Sequence, residues 1–252
     1  MKYVLSFSGG KDSTIALKLI VENNLPLDEV ICAILPYEYE DVIEHIYTIK
    51  EWLLRKTGIN MKLLVDPNAE EKVIKFMGEK TKRGKHKGTI RAFPLAYKGF
   101  CWISRDFKIV PLQKWAKEYS KRTGEEVHLY KGFATDEKNR SRKGKILMYL
   151  DNKARYIYNN KESYPLVDFG YSEEMCREEL KNFFSCKSHF EFNRTGCWLC
   201  MKATIETRIK GILRDPINRM AIIENFTNIS QREIYPDITL NEIKQRVSSE
   251  TN

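Results

Sequence analysis

Six residues near the start of the chain restrict its fold more than any other feature. They are Ser8-Gly9-Gly10-Lys11-Asp12-Ser13, and they join an apolar run at 2–7 to a stretch, 12–23, whose apolar residues have helical spacing. Two glycines let the backbone approach an anion closely, and the start of a helix offers unpaired N–H groups and the positive end of a dipole. Two serine hydroxyls and a lysine ammonium add donors. The six residues therefore predict a strand–loop–helix unit that binds a phosphate or a pyrophosphate.

Two better-known phosphate motifs do not fit this segment. A Walker A loop needs Ser or Thr after its Lys, whereas Asp12 follows Lys11 here. The glycine spacing also differs from the G-x-G-x-x-G of dinucleotide-binding loops. The structural alternative is an ordinary strand-to-helix turn in which Asp12 or Ser13 is the N-cap of the helix.

Strand and helix patterns alternate over the first third of the chain. They occur in turn at 2–7, 12–23, 29–35, 42–56 and 60–65. This order predicts an α/β fold, a Rossmann-like parallel sheet with helices on both faces, and ligands of such sheets bind beyond the carboxyl ends of the strands. A further helix at 111–122 and a strand at 127–132 return to the sheet. From Tyr164 onward the pattern is helical and Cys-bearing. We therefore expect a nucleotide-binding α/β domain over 1–160 and a helical C-terminal region over 161–252.

The segment from Phe7 to Ser13 resembles the PP-loop of the adenine nucleotide alpha hydrolase superfamily. Members of that superfamily bind ATP and commonly cleave it between the α- and β-phosphates, which gives an adenylylated intermediate and pyrophosphate. The resemblance implies that ATP is the ligand, that Mg²⁺ accompanies it, and that the nucleotide-binding residues are Ser8, Gly9, Gly10, Lys11, Asp12 and Ser13.

Three further segments are similar to the phosphoadenosine phosphosulfate (PAPS) reductase-like branch of this superfamily. Residues 101–112 (CWISRDFKIVPL) match its C-x(6)-K-x-x-P-[LI] segment, and residues 132–140 (GFATDEKNR) resemble its G-x-R-x-D-E-x-x-R segment. Residues 195–200 (TGCWLC) match its G-C-x-x-C segment. The segments follow one another in the expected order over about residues 1–205.

The resemblance also implies a catalytic set, which is Lys11, Asp12, Lys108, Asp136, Glu137 and Arg140. Backbone N–H groups of the loop and the Lys11 ammonium suit the negative charge on a leaving pyrophosphate. Mg²⁺ binds through substrate phosphates and one or two carboxylates, for which Asp12 and either Asp136 or Glu137 are candidates. On residue types alone, the acidic pair with Arg140 also fits an ordinary turn with a local ion pair, and Lys108 also fits a surface charge.

Three departures from the branch bear on the reaction. Ala134 stands where the branch has Arg, and Pro36-Tyr37-Glu38 follows the second strand where many relatives have Asp-Thr-Gly. No Cys follows Cys200, so the resemblance does not extend to the Cys-containing tail of true PAPS reductases, whose PP-loop is usually degraded. We therefore expect an ATP pyrophosphatase or adenylyltransferase, with sulfur transfer as a coupled step. The alternatives are a PAPS or adenylyl-sulfate reductase and a nucleic-acid-binding or RNA-thiolating protein.

Four of the six cysteines lie between residues 176 and 200, and no secretion signal precedes them, so a disulfide framework is not expected. Cys197 and Cys200 have the spacing of a metal-binding pair, and by resemblance Cys101 is the third ligand. We expect Cys186 to be the fourth ligand, and Cys176 and His189 are the alternatives for that position. Such a site takes an iron–sulfur cluster or Zn²⁺. A redox pair and a persulfide-carrying Cys remain alternatives. Cys32, in a buried strand, and Cys176 are expected to be packed core residues.

The charge balance points to polyanionic partners. The chain of 252 residues has 43 Lys and Arg against 34 Asp and Glu, a net charge of +9. Basic segments at 80–91, expected to be a mobile loop, and at 139–145 lie near several aromatic residues, which suits RNA binding, although a solvated charged loop is the structural alternative. No apolar run approaches the length of a membrane span, so a cytoplasmic protein is expected. A homodimer is left open.

Overall fold

In the computed structural model, residues 1–82, 87–90, 101–136, 161–192 and 196–251 are described. Five strands in this part of the chain form one parallel sheet in the order β3-β2-β1-β4-β5. Their bounds are β1 Lys2–Phe7, β2 Glu29–Ala33, β3 Lys62–Leu64, β4 Val127–Lys131 and β5 Lys161–Ser163. The predicted α/β fold with a parallel sheet is confirmed. Each predicted strand lies inside the residue range of the sequence pattern that indicated it.

The central strand β1 is buried on both faces. Leu5 pairs with Val30 of β2 on one side and with Tyr130 of β4 on the other. Successive side chains of a strand point to opposite faces, and the neighbours Val4 and Leu5 are both fully buried. The sheet therefore carries apolar layers on both faces, as expected for parallel strands.

The helices of the described residues are α1 Lys11–Glu22, α2 Glu40–Thr57, α3 Ala69–Gly78, α4 Trp102–Ser104, α5 Val110–Thr123, α6 Pro165–Asp168, α7 Glu173–Lys181, α8 Ser188–Glu191, α9 Ile205–Leu213, α10 Pro216–Ser230 and α11 Leu240–Thr251. Of these, α1 and α5 pack on strands of the sheet. Ala116 of α5 packs with Val4 and Ile31 on one face. Helix α1 contacts β1 and packs against α6 and α7 through a second core that includes Ile15 and Leu180.

Three local features were not predicted from the sequence. No element was assigned to the residues of α3, and a π-helical turn, Arg105–Ile109, precedes α5. The basic segment at 80–91 was expected to be a mobile loop, but its described residues pair. Lys80 and Ile90 form an antiparallel bridge, and the N–H of Thr81 donates to the carbonyl of Thr89 at 2.8 Å. The rest of that segment and all of 139–145 lie outside the described residues.

The chain divides into two compact units, and each is discontinuous in sequence. The first comprises 1–34, 38–65 and 108–196, and the second comprises 35–37, 66–107 and 197–252. This division differs from the expected one at residue 160, because β5 begins at Lys161 and pairs with β4, which makes it part of the sheet.

The second unit contains α3 and the last three helices. Within it, α3 contacts α10, and α9 contacts α11. The buried guanidinium of Arg208 donates to a carboxylate oxygen of Asp237 at 2.5 Å and to the carbonyl of Met201 at 2.9 Å. These pairings satisfy a charge that would otherwise be costly to bury. Among the described helices, none is long and apolar enough to cross a membrane.

Candidate phosphate-binding site

The six-residue segment forms the turn between β1 and α1. Gly9 has a φ of +70°, in the left-handed region that favours glycine. A Cβ atom at Gly9 would lie 2.7 Å from Cγ1 of Ile46 and 3.0 Å from Cγ1 of Val42, both on α2. Gly9 is thus required twice, for its backbone conformation and for the close packing of α2 on the loop. Gly10 is the N-cap residue of α1 and has an extended backbone.

The side-chain hydroxyls of the loop bond to the loop itself. Ser13 Oγ donates to the Gly10 carbonyl at 2.9 Å and accepts from the N–H of Ser8 at 3.2 Å. Because a hydroxyl has one proton, the 3.0 Å contact between the two serine oxygens is a donation from Ser8. We expected both hydroxyls to be donors to phosphate, but in this structure their protons are used within the loop. No side chain caps α1, and Asp12 lies in its first turn, so neither Asp12 nor Ser13 is the N-cap.

The backbone N–H groups of residues 9–13 point to no acceptor in the described part of the chain. The first helical hydrogen bond runs from the N–H of Thr14 to the Gly10 carbonyl at 3.0 Å. Unpaired N–H groups at a helix start, with the positive end of the helix dipole, form an anion site. This is the geometry that a phosphate loop needs, and phosphate binding itself stays a prediction.

Lys11 lies between two carboxylates. Its Nζ is 2.7 Å from Asp12 Oδ1 and 3.4 Å from Glu173 Oε2 of α7, and the lysine side chain is 12% exposed. Burial raises the pKa of Asp12, the Lys11 ammonium opposes that rise, and the nearby Glu173 carboxylate adds to it. The site therefore holds one cation and two acidic groups beside the free N–H groups. Two carboxylates beside a phosphate site are also the ligands that Mg²⁺ takes together with substrate phosphates.

Gly132, at the end of β4, lies directly against the start of α1. A Cβ atom there would lie 2.8 Å from the carbonyl carbon and oxygen of Asp12 and from Cα of Ser13. Since these are backbone atoms, they cannot move aside as a flexible side chain can. The first residue of the 132–140 segment is therefore a glycine because β4 and the loop approach each other closely.

Two buried histidines, His45 and His189, bond to the loop from α2 and α8. His189 Nε2 is 2.7 Å from the carbonyl oxygen of Gly9, and its Nδ1 accepts from the N–H of Cys186 at 3.2 Å. Because a carbonyl only accepts, the proton is on Nε2 and the ring is neutral. Burial lowers the pKa of His189 and keeps it in this form.

His45 acts on the other glycine through Thr14. The Thr14 hydroxyl donates to the Gly10 carbonyl at 3.0 Å and lies 2.9 Å from Nε2 of His45. Since the hydroxyl proton is used, His45 is the donor. Burial lowers the pKa of His45 to about 3, and neighbouring His189 contributes to the lowering.

The backbone before His189 is fixed to the start of α2. The N–H and hydroxyl of Ser188 donate to the two carboxylate oxygens of Asp41, each at 2.7 Å. A carboxylate that accepts two short hydrogen bonds is a strong anchor. Asp41 thus ties α8, and with it His189, to the helix that packs on Gly9.

Of the other predicted catalytic residues, Lys108 and Asp136 lie in different parts of the described structure. The Lys108 ammonium acts on the Cys32 thiol, opposing the effect of burial, which raises the pKa of that thiol to about 12. Lys108 therefore lies near the carboxyl end of β2, on the ligand edge of the sheet. The Asp136 carboxylate accepts from the N–H of Glu173 at 3.0 and 3.2 Å, at the start of α7, which is the structural role of an acidic residue in a turn. Glu137 and Arg140 lie outside the described residues.

The cysteines predicted to bind a metal all lie within the described part of the chain. Among the described residues, which include Cys101, Cys186, Cys197 and Cys200, no three Cys, His, Asp or Glu side chains lie close enough together to hold a metal ion. The N–H of Cys200 donates to the Cys197 carbonyl at 3.1 Å, so these two form a local turn. The assignment of Cys101, Cys186, Cys197 and Cys200 to a cluster or a zinc ion stays a prediction.

The remaining cysteines are core residues, as expected. Cys32 and Cys176 are fully buried. Cys176 packs in the core between α1 and α7, and burial raises the pKa of its thiol well above the ordinary value. Burial also raises the pKa of Cys186 to about 12, with Asp41 adding to the effect. His189, once an open candidate for the fourth metal ligand, has both ring nitrogens bonded to backbone groups.

Several residues of the site carry no motif in the sequence. His45, Asp41 and Ser188 contact the loop or its supports, yet each is an isolated polar residue among helical patterns. Glu173 reads as an ordinary acidic residue in the first turn of a helix. The sequence has only four histidines, but the burial of His45 and His189 and their partners are seen only in the structure.

Comparison with known proteins gives matches in structure alone. No family model matches the chain, and no curated protein matches it. Among solved structures it is similar to a PAPS reductase from Candida auris in a phosphate complex, with 11% identity over 78% of this chain and 82% of that chain and a TM-score of 0.45. It is also similar to the U34-tRNA thiolase NcsA from Methanococcus maripaludis with its [4Fe-4S] cluster, with 16% identity over 92% and 70% and a TM-score of 0.41. At these identities an activity or a substrate does not carry over from one chain to the other.

Proposed function

We propose that this chain binds ATP with Mg²⁺ at residues 8–13 and catalyses attack on the α-phosphate with release of pyrophosphate. One observation carries the proposal. The N–H groups of residues 9–13 are unpaired in the described chain, while the carbonyls of Gly9 and Gly10 are held by hydrogen bonds. Such a loop presents donors to an anion without having to rearrange first, and that is the form of electrostatic stabilisation that phosphoryl transfer requires.

The reaction is a displacement at the α-phosphorus. A nucleophilic oxygen of an acceptor forms a bond to that atom, the bond to the bridging oxygen of the β-phosphate breaks, and its electron pair leaves with the pyrophosphate. The loop N–H groups and the Lys11 ammonium stabilise the charge that develops on the leaving group. Lys108, near the carboxyl end of β2, is the candidate cation for the α-phosphate side.

Mg²⁺, when bound, would polarise the phosphates and neutralise part of their charge. Asp12 is the residue that would hold it, together with oxygens of the substrate, and Glu173 is a second carboxylate within reach of the same lysine. On binding, Asp12 would exchange its contact with Lys11 for the metal, which frees the ammonium for the phosphates. The roles of Asp136, Glu137 and Arg140 stay predictions.

Reduction of PAPS is less well supported than ATP cleavage. A reductase needs a reactive thiolate, and burial raises the pKa of the thiols of Cys32, Cys176 and Cys186, which leaves Cys101, Cys197 and Cys200 as its candidates. None of these three belongs to a Cys-containing tail of the kind that true PAPS reductases have. RNA binding rests on the basic segments at 80–91 and 139–145, most of which lie outside the described residues. Sulfur transfer, a cluster at the cysteines, a cytoplasmic location and a homodimer likewise stay predictions.

The test is binding of ATP with Mg²⁺ by calorimetry, with pyrophosphate release measured in the presence of sulfate or bulk tRNA as acceptor classes that offer a nucleophilic oxygen. Lys11→Ala removes the loop cation, and Lys18→Ala is the matched control, since Lys18 lies on the same helix but pairs with Glu22 and Glu179. We expect Lys11→Ala to weaken binding at least tenfold and Lys18→Ala to leave it unchanged. Absence of ATP binding by the natural chain, or equal binding by both variants, contradicts the proposal.

A further inference from the structure

We infer that His189 is a positioning residue for the phosphate loop, which fixes the peptide between Gly9 and Gly10 so that its N–H faces the phosphates. This inference rests on the proposed function, because it assigns His189 a part in nucleotide binding. The proposed function gives His189 no direct contact with the nucleotide. His189 also lies outside the four segments that resemble the PAPS reductase-like branch and its superfamily.

The hydrogen bond to the Gly9 carbonyl also orients the N–H of Gly10, because both groups belong to one peptide unit. In a trans peptide the C=O and N–H bonds point in opposite directions, and no described peptide bond is cis. The hydrogen bond of 2.7 Å from His189 Nε2 therefore directs the Gly9 carbonyl toward α8 and the N–H of Gly10 away from it. Two consecutive glycines permit rotation of the peptide between them more freely than any other pair, so this position needs an external restraint.

The next peptide unit is restrained in the same way by different groups. The Gly10 carbonyl accepts from the N–H of Thr14, from Ser13 Oγ and from Thr14 Oγ1, and His45 donates to the last of these. The carbonyl of Gly9, by contrast, has His189 as its hydrogen-bond donor among the described residues. Loss of His189 therefore leaves one peptide of the loop free while the other stays fixed.

The histidine is itself held in place from two sides. Its Nδ1 accepts from the N–H of Cys186, which fixes the tautomer, and Ser188 is anchored to both carboxylate oxygens of Asp41. Asp41 lies in the first turn of α2, the helix whose Val42 and Ile46 pack against Gly9. The donor and the apolar wall of the loop are thus fixed to one helix, which keeps the distance between His189 and Gly9 short.

A packing role alone would not require a donor at this position. His189 is 1% exposed, and an imidazole that merely filled space would leave two buried ring nitrogens unsatisfied, which is costly. Both nitrogens are instead bonded to backbone groups of separate segments. The two bonds can be removed one at a time, because Asn places an acceptor near the position of Nδ1 and Gln places a donor near the position of Nε2.

The experiment compares His189→Asn with His189→Gln in the full chain. His189→Asn keeps the acceptor for Cys186 but loses the donor to Gly9, whereas His189→Gln keeps the donor and loses the acceptor. We expect His189→Asn to weaken binding of ATP with Mg²⁺ about tenfold, the value of roughly one hydrogen bond, and His189→Gln to bind within about threefold of the natural chain. His128→Gln is the control, since His128 bonds to Ser163 within the sheet.

Thermal unfolding of each variant separates binding from folding. Equal unfolding temperatures with the expected difference in affinity support a positioning role, and equal affinities in the two folded variants overturn it. The tautomer is measured independently in nucleotide-free protein by ¹⁵N NMR of the imidazole. A proton on Nε2 and none on Nδ1 supports the inference, and the opposite tautomer overturns it. If the natural chain binds no ATP, the proposed function fails, and the tautomer alone decides whether His189 holds the loop.

Discussion

The rings of His45 and His189 meet edge to face, with their centroids 4.7 Å apart and their planes at 88°. They come from α2 and α8, and each donates from Nε2 toward a different glycine of the phosphate loop, His189 directly and His45 through Thr14. The ring of His189 has to be neutral, because a second proton would remove the acceptor for Cys186, and burial keeps the ring of His45 uncharged as well. The loop geometry therefore depends on two uncharged imidazoles in a buried place.

This dependence predicts that the protein loses stability in acid. Burial lowers the pKa of His45 to about 3 and also lowers that of His189, against about 6.5 in an unfolded chain. Below pH about 6.5 the unfolded chain binds protons that the folded chain does not, so the free energy of unfolding falls as the pH decreases. The Asp41 carboxylate opposes this effect, and Lys11 adds to it at His189.

His45→Gln tests the contribution of one imidazole to that loss, since Gln keeps a donor for Thr14 but does not titrate. We expect the dependence of the free energy of unfolding on pH to become shallower by up to about 1.4 kcal/mol per pH unit between pH about 6 and 4. Urea unfolding at several pH values measures it. Thr48→Ala, an exposed change on the same helix, should leave the slope unchanged, and an unchanged slope in His45→Gln would contradict the prediction.

Gly9→Ala should destabilise the protein more than a left-handed conformation alone explains. Gly58 provides the comparison, because it has a φ of +75° with nothing within 4 Å of an added Cβ, whereas the Cβ at Gly9 would lie 2.7 Å from Ile46. We expect about 1 kcal/mol for Gly58→Ala and a further 1–3 kcal/mol for Gly9→Ala, the range typical of overpacking. Urea unfolding of both variants gives the difference, and equal losses would show that α2 does not pack on the loop as described.

Gly132→Ala should displace the start of α1 and weaken nucleotide binding. The added methyl would meet backbone atoms of Asp12 and Ser13 at 2.8 Å, so the loop has to move. We expect a loss of about 2 kcal/mol in the free energy of unfolding and at least a tenfold weaker affinity for ATP with Mg²⁺. Gly78→Ala, whose Cβ would have its nearest neighbour at 3.9 Å, serves as the control and should be neutral in both measurements. Native affinity in Gly132→Ala would refute the close approach of β4 to the loop.

The sheet was predictable because its strands and helices carry simple periodic patterns. Ile15, Leu19 and Ile20 recur at helical spacing, and the apolar run around Ile31 ends near Pro36, so the order of elements followed directly. The phosphate loop was predictable for a different reason, since its chemistry is local and needs only neighbouring residues. The strand order and the pairing of β5 with β4 depend on contacts between distant segments and were not predicted.

The residues that support the phosphate loop were not predictable either, because they come from segments that are distant in the sequence. Asp41, Ser188 and His189 meet only after α2 and α8 are packed, and no local rule connects them. The cysteines are a different case, because the local spacing of Cys197 and Cys200 predicts a metal-binding pair, whereas the remaining ligands have to come from distant segments. A local pattern identifies the residue types that a site needs, but tertiary contacts decide whether they come together.

The most direct test of this account is a crystal structure of the full chain with Mg²⁺ and an ATP analogue whose α,β-bridging atom is carbon, so that it cannot be cleaved. The account predicts that β- and γ-phosphate oxygens lie about 3 Å from the backbone nitrogens of residues 10–13, with the Gly9 carbonyl still bonded to His189. A nucleotide whose phosphates lie elsewhere, or N–H groups of this loop that turn away from a bound phosphate, would contradict it.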